Sequence, residues 1–280
     1  MSTSPYQGTA NSAPIKRTVT VKTLRDMKSS GEKIAALTAY DASFAALLDD
    51  VGVDIQLVGD SLGNVIQGLD STLPVSVDDM IYHARAVATQ CRHGLRMVDM
   101  PFMSYWSIDT ALQNAARLMK EGGAQMVKLE CTQAQEAIIR ALVNEGIPVC
   151  AHLGLRPQSV HKLGGYRVQG RDAAAAEAML IEAQRLQDAG ADVLLLEAVP
   201  ASLAAQITQQ VEVPVIGIGA GSDCDGQVLV LYDILAITPG KRPKFSKDFL
   251  ANGGDIRAAI QTYVNDVKAK RFPSSEHSFT

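Results

Sequence analysis

The sequence lacks the cysteine spacing of a structural zinc site. Its four cysteines are Cys91, Cys131, Cys150 and Cys224, and no two of them form a CxxC pair. No histidine cluster accompanies them, so a structural zinc ion is not expected. Free and well-separated thiols are typical of a reducing compartment, and we therefore expect a cytoplasmic protein.

The sequence also lacks a strong excess of either charge and a long apolar run. Its 280 residues include 26 Lys and Arg against 30 Asp and Glu, a net charge of −4. Nucleic-acid binders usually show a basic excess, and a membrane span needs about 18 consecutive apolar residues, so neither partner is expected. The N-terminus has no apolar segment of a secretory signal, and its Ser, Thr, Pro and Gly content predicts a flexible arm over residues 1–20.

What the sequence does have is a regular alternation of apolar β-type runs with helical patterns. The runs are 33–40, 55–60, 95–101, 125–130, 147–154, 191–199, 213–221 and 233–238. Near-continuous apolar strands separated by helices are typical of parallel sheets, and eight such units predict a (β/α)8 barrel. We assign it to a single domain over residues 21–270, followed by a C-terminal tail over 271–280. The alternative is an open doubly wound sheet, but no strand is followed by GxGxxG, and GIGAG at 217–221 comes late in the chain.

Five of the predicted strands end in polar or ionisable side chains. These are Asp60 and Ser61, Asp99, Lys128 and Glu130, His152, and Glu197. Catalytic groups of such barrels lie at the C-terminal ends of the strands, and charged residues are rarely buried without partners. Their convergence therefore predicts a site, although each residue alone has a structural alternative, such as a turn cap for Asp60 or an ion pair between Lys128 and Glu130.

The residue types of this set indicate a particular chemistry. Carboxylates from Asp60, Asp99 and Glu130 suit Mg²⁺, and Lys128 would bind a substrate anion as a point charge. Glu197 ends a very apolar strand and could act as a general base near neutral pH. A metal that polarises a carbonyl, together with a base, supports proton abstraction beside that carbonyl. The set thus predicts metal-assisted enolate chemistry on a small anionic keto compound.

The motifs of the chain resemble the ketopantoate (3-methyl-2-oxobutanoate) hydroxymethyltransferase family over nearly all of residues 22–280. They include LTAYD (37–41), LVGDSLGNVIQG (57–68), DMPFMSY (99–105), VKLE (127–130), PVCAHLGLRPQSV (148–160), GGYRVQG (164–170) and LLLEAVP (194–200). The resemblance implies a (β/α)8 barrel of the phosphoenolpyruvate/pyruvate type. It also implies the first committed step of pantothenate biosynthesis, in which 5,10-methylenetetrahydrofolate and 3-methyl-2-oxobutanoate give ketopantoate.

The resemblance further implies roles for individual residues. Asp60 and Asp99 would bind Mg²⁺, with Glu130 as a further ligand, directly or through water. Ser61, Lys128 and Asp99 would contact the keto acid, and Asp60 would share in binding it. Glu197 would accept the C3 proton, while His152 and Tyr40 would line the site. The family assembles as decamers, so a homo-oligomer is expected.

Two other functions compete with this interpretation. One is a lyase of the same barrel type, although the chain has no KKCGH-like loop with a reactive cysteine. The other is a barrel that binds metabolites without catalysis, which the full set of ionisable residues disfavours. The long stretch 153–172 is predicted to be a lid or a binding loop, since long loops in compact domains are usually functional or disordered.

Overall fold

The computed structural model of the chain describes residues 17–251 and 254–280. Of the predicted flexible arm, residues 1–16 lie outside the described part. From residue 17 onward the chain contacts the fold, since the Val19 amide donates to the carbonyl of His93 at 2.7 Å and the Val19 side chain is buried.

Eight parallel strands form a closed barrel in chain order, and the last strand pairs with the first. They are β1 Ile34–Thr38, β2 Ile55–Val58, β3 Leu95–Asp99, β4 Met126–Glu130, β5 Val149–Gly154, β6 Val193–Glu197, β7 Val215–Ile218 and β8 Gly226–Leu229. Their Ile, Val and Leu side chains are almost all buried, as expected for strands covered by helices outside and packed side chains inside. The predicted barrel is therefore confirmed, and the open sheet is wrong.

Helices follow most of the strands and cover the barrel. They are α1 Val21–Ser30, α2 Ala42–Val51, α3 Leu62–Val65, α4 Val77–Ala88, α5 Ile108–Lys120, α6 Glu136–Asn144, α7 Val160–Leu163, α8 Ala173–Asp188, α9 Ala201–Gln210, α10 Leu231–Ile234 and α11 Ile256–Lys268. Side-chain caps start several of them, such as Asp41 before α2 and Ser76 before α4. Across residues 17–251 and 254–280, no helix combines the length and apolarity that crossing a bilayer requires.

The N-terminal end of the barrel is held by a repeated hydrogen bond at every second strand. The residue before β2, β4, β6 or β8 accepts from a backbone amide near the start of the preceding strand. The acceptors are Asp54, Gln125, Asp192 and Asp225, and the donors are Ala35, Arg96, Val149 and Val215, at 2.8–3.1 Å. The three aspartates also pair with Lys268, Arg25 and Lys28. This end of the barrel therefore stabilises the fold, away from the strand ends that carry chemistry.

The predicted eighth strand at 233–238 is wrong. The strand lies earlier, at Gly226–Leu229, and the predicted segment begins within α10. Gly226 fits there because a Cβ at this position would lie 2.5 Å from the carbonyl oxygen of Ile34, so only glycine lets β8 close against β1. The amide of Leu231 then donates to the Thr38 hydroxyl at 3.0 Å, and the chain turns into α10.

The C-terminal segment from residue 271 onward packs back on the barrel. Phe272 is buried in the core, and the carbonyl of Phe279 accepts from the amide of Ala201 at 2.9 Å. The Phe279 ring also meets Phe245 edge-on. These contacts tie the end of the chain to the start of α9.

Candidate active site

The C-terminal ends of β2 to β6 place a group of buried polar side chains at one end of the barrel. Asp60 follows β2, Asp99 ends β3, Lys128 and Glu130 lie in β4, and Glu197 ends β6. The first four are at most 7% exposed. The parallel register sets Asp99 beside Lys128 on the neighbouring strand, so the predicted convergence of these four residues is seen in the fold.

Asp99 joins two neighbouring groups of this site. Its Oδ1 lies 2.5 Å from the ammonium of Lys128, and its Oδ2 accepts from the backbone amide of Asp60 at 3.0 Å. Lys128 therefore pairs with Asp99. The ion pair between Lys128 and Glu130, which was the structural alternative, does not form. Gly59 makes room for this arrangement, because a Cβ there would lie 2.9 Å from the Ser61 hydroxyl.

The carboxylates accumulate more negative charge than Lys128 offsets. Burial, and then the charge of Asp99, raises the pKa of Asp60 to about 7. Burial, and then Asp60, raises the pKa of Glu130 to about 9. Burial alone would lower the pKa of Lys128, but Asp99 and Asp60 raise it above its usual range, so the lysine stays charged. A further cation would stabilise the ionised carboxylates against both burial and mutual repulsion.

Gln158, which the sequence interpretation passed over, joins the carboxylates to one another. Its side-chain amide donates to Oδ2 of Asp60 at 2.8 Å and to the carbonyl of Met100 at 3.0 Å. Its backbone amide donates to Oε1 of Glu130 at 3.0 Å, and its Oε1 accepts from the Tyr105 hydroxyl at 2.6 Å. Because the Met100 carbonyl can only accept, it fixes the NH₂ end of the Gln158 amide on the side of Met100 and Asp60. Gln158 and Tyr105 are uncharged and do not lie at strand ends, so a search for ionisable groups at strand ends does not find them.

Tyr40 and Ser61 form a second polar contact beside the carboxylates. The Tyr40 hydroxyl and the Ser61 hydroxyl lie 2.8 Å apart, and Tyr40 is buried. A ring nitrogen of His83 lies 2.7 Å from the Tyr40 carbonyl. Asp41, which follows Tyr40, caps α2 instead, since its carboxylate accepts from the Phe44 amide. Tyr40 therefore orients the Ser61 hydroxyl, and Asp41 belongs to the helix.

Glu197 and His152 form a separate pair on the neighbouring strands. Nε2 of His152 lies 3.3 Å from Oε2 of Glu197. Burial, and then Lys128, lowers the pKa of His152 well below its usual range, so the imidazole is neutral. Burial raises the pKa of Glu197 to about 7, and Lys128 opposes that shift. A carboxylate that ionises near neutrality is suited to general base catalysis. The next residue, Ala198, has a left-handed φ of 47°, a strain typical of functional sites.

The donor set fits a Mg²⁺ ion that takes only part of its coordination from the protein. Over residues 17–251 and 254–280, no three His, Cys, Asp or Glu side chains are grouped so that they alone could hold a metal. Asp60 and Asp99 are adjacent, however, and Oε2 of Glu130 is buried without a hydrogen-bond partner. Mg²⁺ usually binds through one or two carboxylates and keeps waters or substrate oxygens, which matches this set.

Comparison with solved structures defines the class of barrel. Phosphoenolpyruvate phosphomutase from Streptomyces platensis superposes with a TM-score of 0.58 at 14% identity, covering 77% of this chain and 82% of that one. An oxaloacetate acetylhydrolase superposes with a TM-score of 0.58 at 15% identity, covering 77% and 81%. At such identities the likeness shows the fold alone, which is that of the phosphoenolpyruvate mutase and isocitrate lyase barrels.

Comparison of sequences defines the family. The profile of ketopantoate hydroxymethyltransferases matches residues 18–275. The 3-methyl-2-oxobutanoate hydroxymethyltransferase of Alkalilimnicola ehrlichii is 59% identical over 94% of this chain and 95% of its own length. The enzyme of Marinobacter nauticus is 58% identical over 93% of this chain and 98% of its own length. The chain belongs to the ketopantoate hydroxymethyltransferase family and is a transferase, so the lyase and the non-catalytic barrel are wrong.

Proposed function

We propose that this transferase passes the one-carbon unit of 5,10-methylenetetrahydrofolate to 3-methyl-2-oxobutanoate. With one water molecule, the products are ketopantoate and tetrahydrofolate, at the first committed step of pantothenate biosynthesis. The observation that carries the proposal is the grouping of Asp60, Asp99, Lys128 and Glu130 at the strand ends beside Glu197, in a chain of this family. The site offers what an enolate reaction of a keto acid needs: a cation pocket, a fixed positive charge and a base.

The proposed roles follow from the surroundings of each side chain. Glu197, with its pKa raised to about 7 by burial, accepts the proton from C3 of the keto acid, and neutral His152 borders its carboxylate. Lys128 stays protonated and balances the negative charge of the substrate. The Ser61 hydroxyl, oriented by Tyr40, donates to a substrate oxygen. The carbanion at C3 then forms a bond to the donated carbon, and both bonds from that carbon to the folate nitrogens break. Water supplies the hydroxyl group of ketopantoate, and its remaining proton and the proton taken up by Glu197 go to the two nitrogens of tetrahydrofolate.

Asp60 and Asp99, with Glu130 directly or through water, would hold Mg²⁺. When bound, the metal would supply positive charge at the keto and carboxylate oxygens and so make the C3 proton easier to remove. Gln158 keeps Asp60 and Glu130 in place through its side-chain and backbone amides. The protein's own contribution is thus a preorganised set of charges, which is usually the largest part of catalysis.

Deuterium exchange at C3 of 3-methyl-2-oxobutanoate, followed by NMR without folate, tests this proposal. We expect exchange that requires Mg²⁺ and stops with EDTA. Glu197→Gln should slow it by roughly 10²–10⁴-fold, because that is the usual contribution of a general base. Glu212→Gln, which removes an exposed carboxylate outside the site, is the matched control and should exchange normally. Full exchange in Glu197→Gln would remove Glu197 from the role of base.

The proposal extends to the setting of the enzyme. All four cysteines are free and buried, as suits a reducing cytoplasm. By resemblance to the family we propose a homodecamer, which light scattering coupled to size-exclusion chromatography tests directly. A monomeric mass at micromolar protein would contradict it.

A further inference from the structure

A cavity opens beside the carboxylates, and the roles proposed so far for the keto acid make no use of it. It has a volume of about 330 Å³ and is lined by Phe102, Met103, Trp106, Glu130, Arg156 and Gln158, among others. Small-molecule sites have volumes of this order. A larger cavity of about 430 Å³ lies along α6, but none of the site carboxylates lines it. The first cavity shares Glu130 and Gln158 with the candidate active site, so a molecule bound in it lies next to the reacting keto acid.

One wall of this cavity is unusually apolar for an accessible surface. Phe102 is 44% exposed, Met103 56% and Trp106 67%, although all three are large apolar residues. They belong to the loop that leaves β3 directly after Asp99. Met103 also has a left-handed φ of 61°, which is unfavourable for a non-glycine residue and is found at ligand clamps. Exposed apolar side chains grouped at a concave surface mark a binding site.

Other residues that line the cavity supply polar and cationic groups. Arg156 donates from Nη1 to the carbonyl of Cys131 at 2.9 Å, while its Nε is buried without a hydrogen-bond partner. Thr132 and Gln135 line the same cavity. Aromatic side chains, an arginine and several hydrogen-bonding groups in one cavity suit a flat heteroaromatic molecule that carries a negative charge. Aromatic side chains stack on such rings, and arginine binds carboxylates through paired hydrogen bonds.

We propose that this cavity, bounded by Phe102, Met103, Trp106 and Arg156, is the binding site of the reduced folate. This inference rests on the proposed function, which requires a second substrate close enough to deliver its one-carbon unit to C3 of the keto acid. The pterin and aminobenzoyl rings lie against Phe102 and Trp106, and Arg156 supplies positive charge for the glutamate carboxylates. Tyr105, which lines the cavity and donates to Gln158, connects the folate site to the carboxylates.

The single tryptophan of the chain makes the proposal directly measurable. Because Trp106 is the one tryptophan in the sequence, fluorescence excited at the red edge, where tyrosine does not absorb, reports on this cavity alone. 5-Formyltetrahydrofolate, which cannot donate its carbon here, should quench the emission saturably in the full-length protein with Mg²⁺. N-acetyltryptophanamide titrated in parallel corrects for absorption by the folate. Emission that follows the free tryptophan control at every concentration would overturn the proposal.

Kinetics of two variants can test the folate site independently of the proposed reaction. Trp106→Ala and Phe102→Ala should raise the KM for 5,10-methylenetetrahydrofolate at least tenfold, while Mg²⁺-dependent C3 exchange, which needs no folate, continues. The control is Tyr82→Ala, which removes an aromatic ring that is 74% exposed elsewhere and should leave both reactions unchanged. An unaltered KM, or a changed oligomeric mass in Trp106→Ala without a change in KM, would overturn the folate site. Saturable quenching in a protein without C3 exchange would support the cavity and refute the proposed reaction.

Discussion

Among single residues, Glu197 has the chemistry that depends most directly on its surroundings. Burial raises the pKa of its carboxyl group from 4.5 to about 7, and a general base acts only in its ionised form. C3 exchange should therefore be fast above pH 7 and should fall as the pH drops through about 7. The measurement is the initial exchange rate from pH 5 to pH 9 at saturating Mg²⁺ and keto acid. A midpoint near the ordinary value of 4.5 would show that Glu197 is not the titrating base.

Gln158 is a residue whose effect should appear in metal binding rather than in folding. Gln158→Leu removes the donor to Asp60 and the acceptor for Tyr105. Loss of such supporting contacts usually lowers metal affinity by roughly 10–100-fold, and we expect a change of that size in Mn²⁺ affinity measured by titration calorimetry. Tyr105→Phe keeps the donor to Asp60 and should have a smaller effect.

A second glutamine-to-leucine substitution, away from the site carboxylates, controls for the chemistry of that change. Gln261→Leu on α11 removes a half-buried glutamine that hydrogen-bonds only to Asn265 among the described residues, so Mn²⁺ affinity should not change. Equal affinities in Gln158→Leu and the wild type would mean that Gln158 does not position the metal ligands.

At the scale of the strands, the hydrogen bonds at the N-terminal end of the barrel should govern stability. Asp225 accepts from the Val215 amide at 2.9 Å and from the Lys28 ammonium at 2.7 Å, and both ionic side chains are only 14% exposed. Asp225→Ala leaves the largely buried ammonium of Lys28 with the Thr208 carbonyl but without its anionic partner, and should cost about 2–4 kcal/mol of unfolding free energy. Asp225→Asn keeps an acceptor for Val215, as Gln125 does for Arg96, and should cost less.

Urea unfolding followed by circular dichroism measures this difference. C3 exchange of the folded Asp225 variants should match that of the wild type, since the substitution lies at the end of the barrel opposite the candidate site. Equal stability of Asp225→Ala and the wild type would show that these side-chain acceptors do not hold the strand starts.

The strands also show which elements could be predicted from sequence. Seven apolar runs bounded by polar segments matched strands because each run stands alone. Around β8 the apolar stretch continues from Val228 through Ile237, so local pattern cannot say which half is the strand. The choice depends on Gly226 meeting Ile34 and on Thr38 receiving the Leu231 amide. Both contacts join the first strand to a segment far away in the sequence, so a local sequence pattern cannot predict them.

The candidate site was predictable to the extent that strand ends position it. Asp60, Asp99, Lys128 and Glu130 could be found because parallel strands bring their C-terminal ends together. Gln158 and Tyr105 could not, because they are neutral and lie in loops whose course depends on tertiary contacts. The loop 153–172 was predicted as a lid or a binding loop. Gln158 shows that its first part forms one wall of the site.

On the scale of the whole molecule, the two ends of the barrel differ in how their charges are balanced. At the N-terminal end Asp54, Asp192 and Asp225 each pair with a lysine or an arginine. At the C-terminal end Lys128 pairs with Asp99 and is also the positive charge that acts on Asp60 and Glu130. Without a metal ion, the protein therefore carries electrostatic strain at the end where we propose that substrate binds, as enzymes often do at the expense of stability.

Because of this imbalance, Asp60→Asn tests whether the protein loses stability at a residue that it needs for metal binding. Because burial, and then Asp99, raises the pKa of Asp60 from 3.8 to about 7, its charge increasingly destabilises the fold as pH rises through that range. At pH 8 the neutral variant should melt roughly 2–4 °C higher than the metal-free wild type. Mg²⁺ should raise the melting temperature of the wild type but not that of Asp60→Asn, whereas exposed Asp70→Asn should behave as wild type. A metal-free variant that melts lower, or one that keeps the full response to Mg²⁺, would contradict the placement of the metal at Asp60.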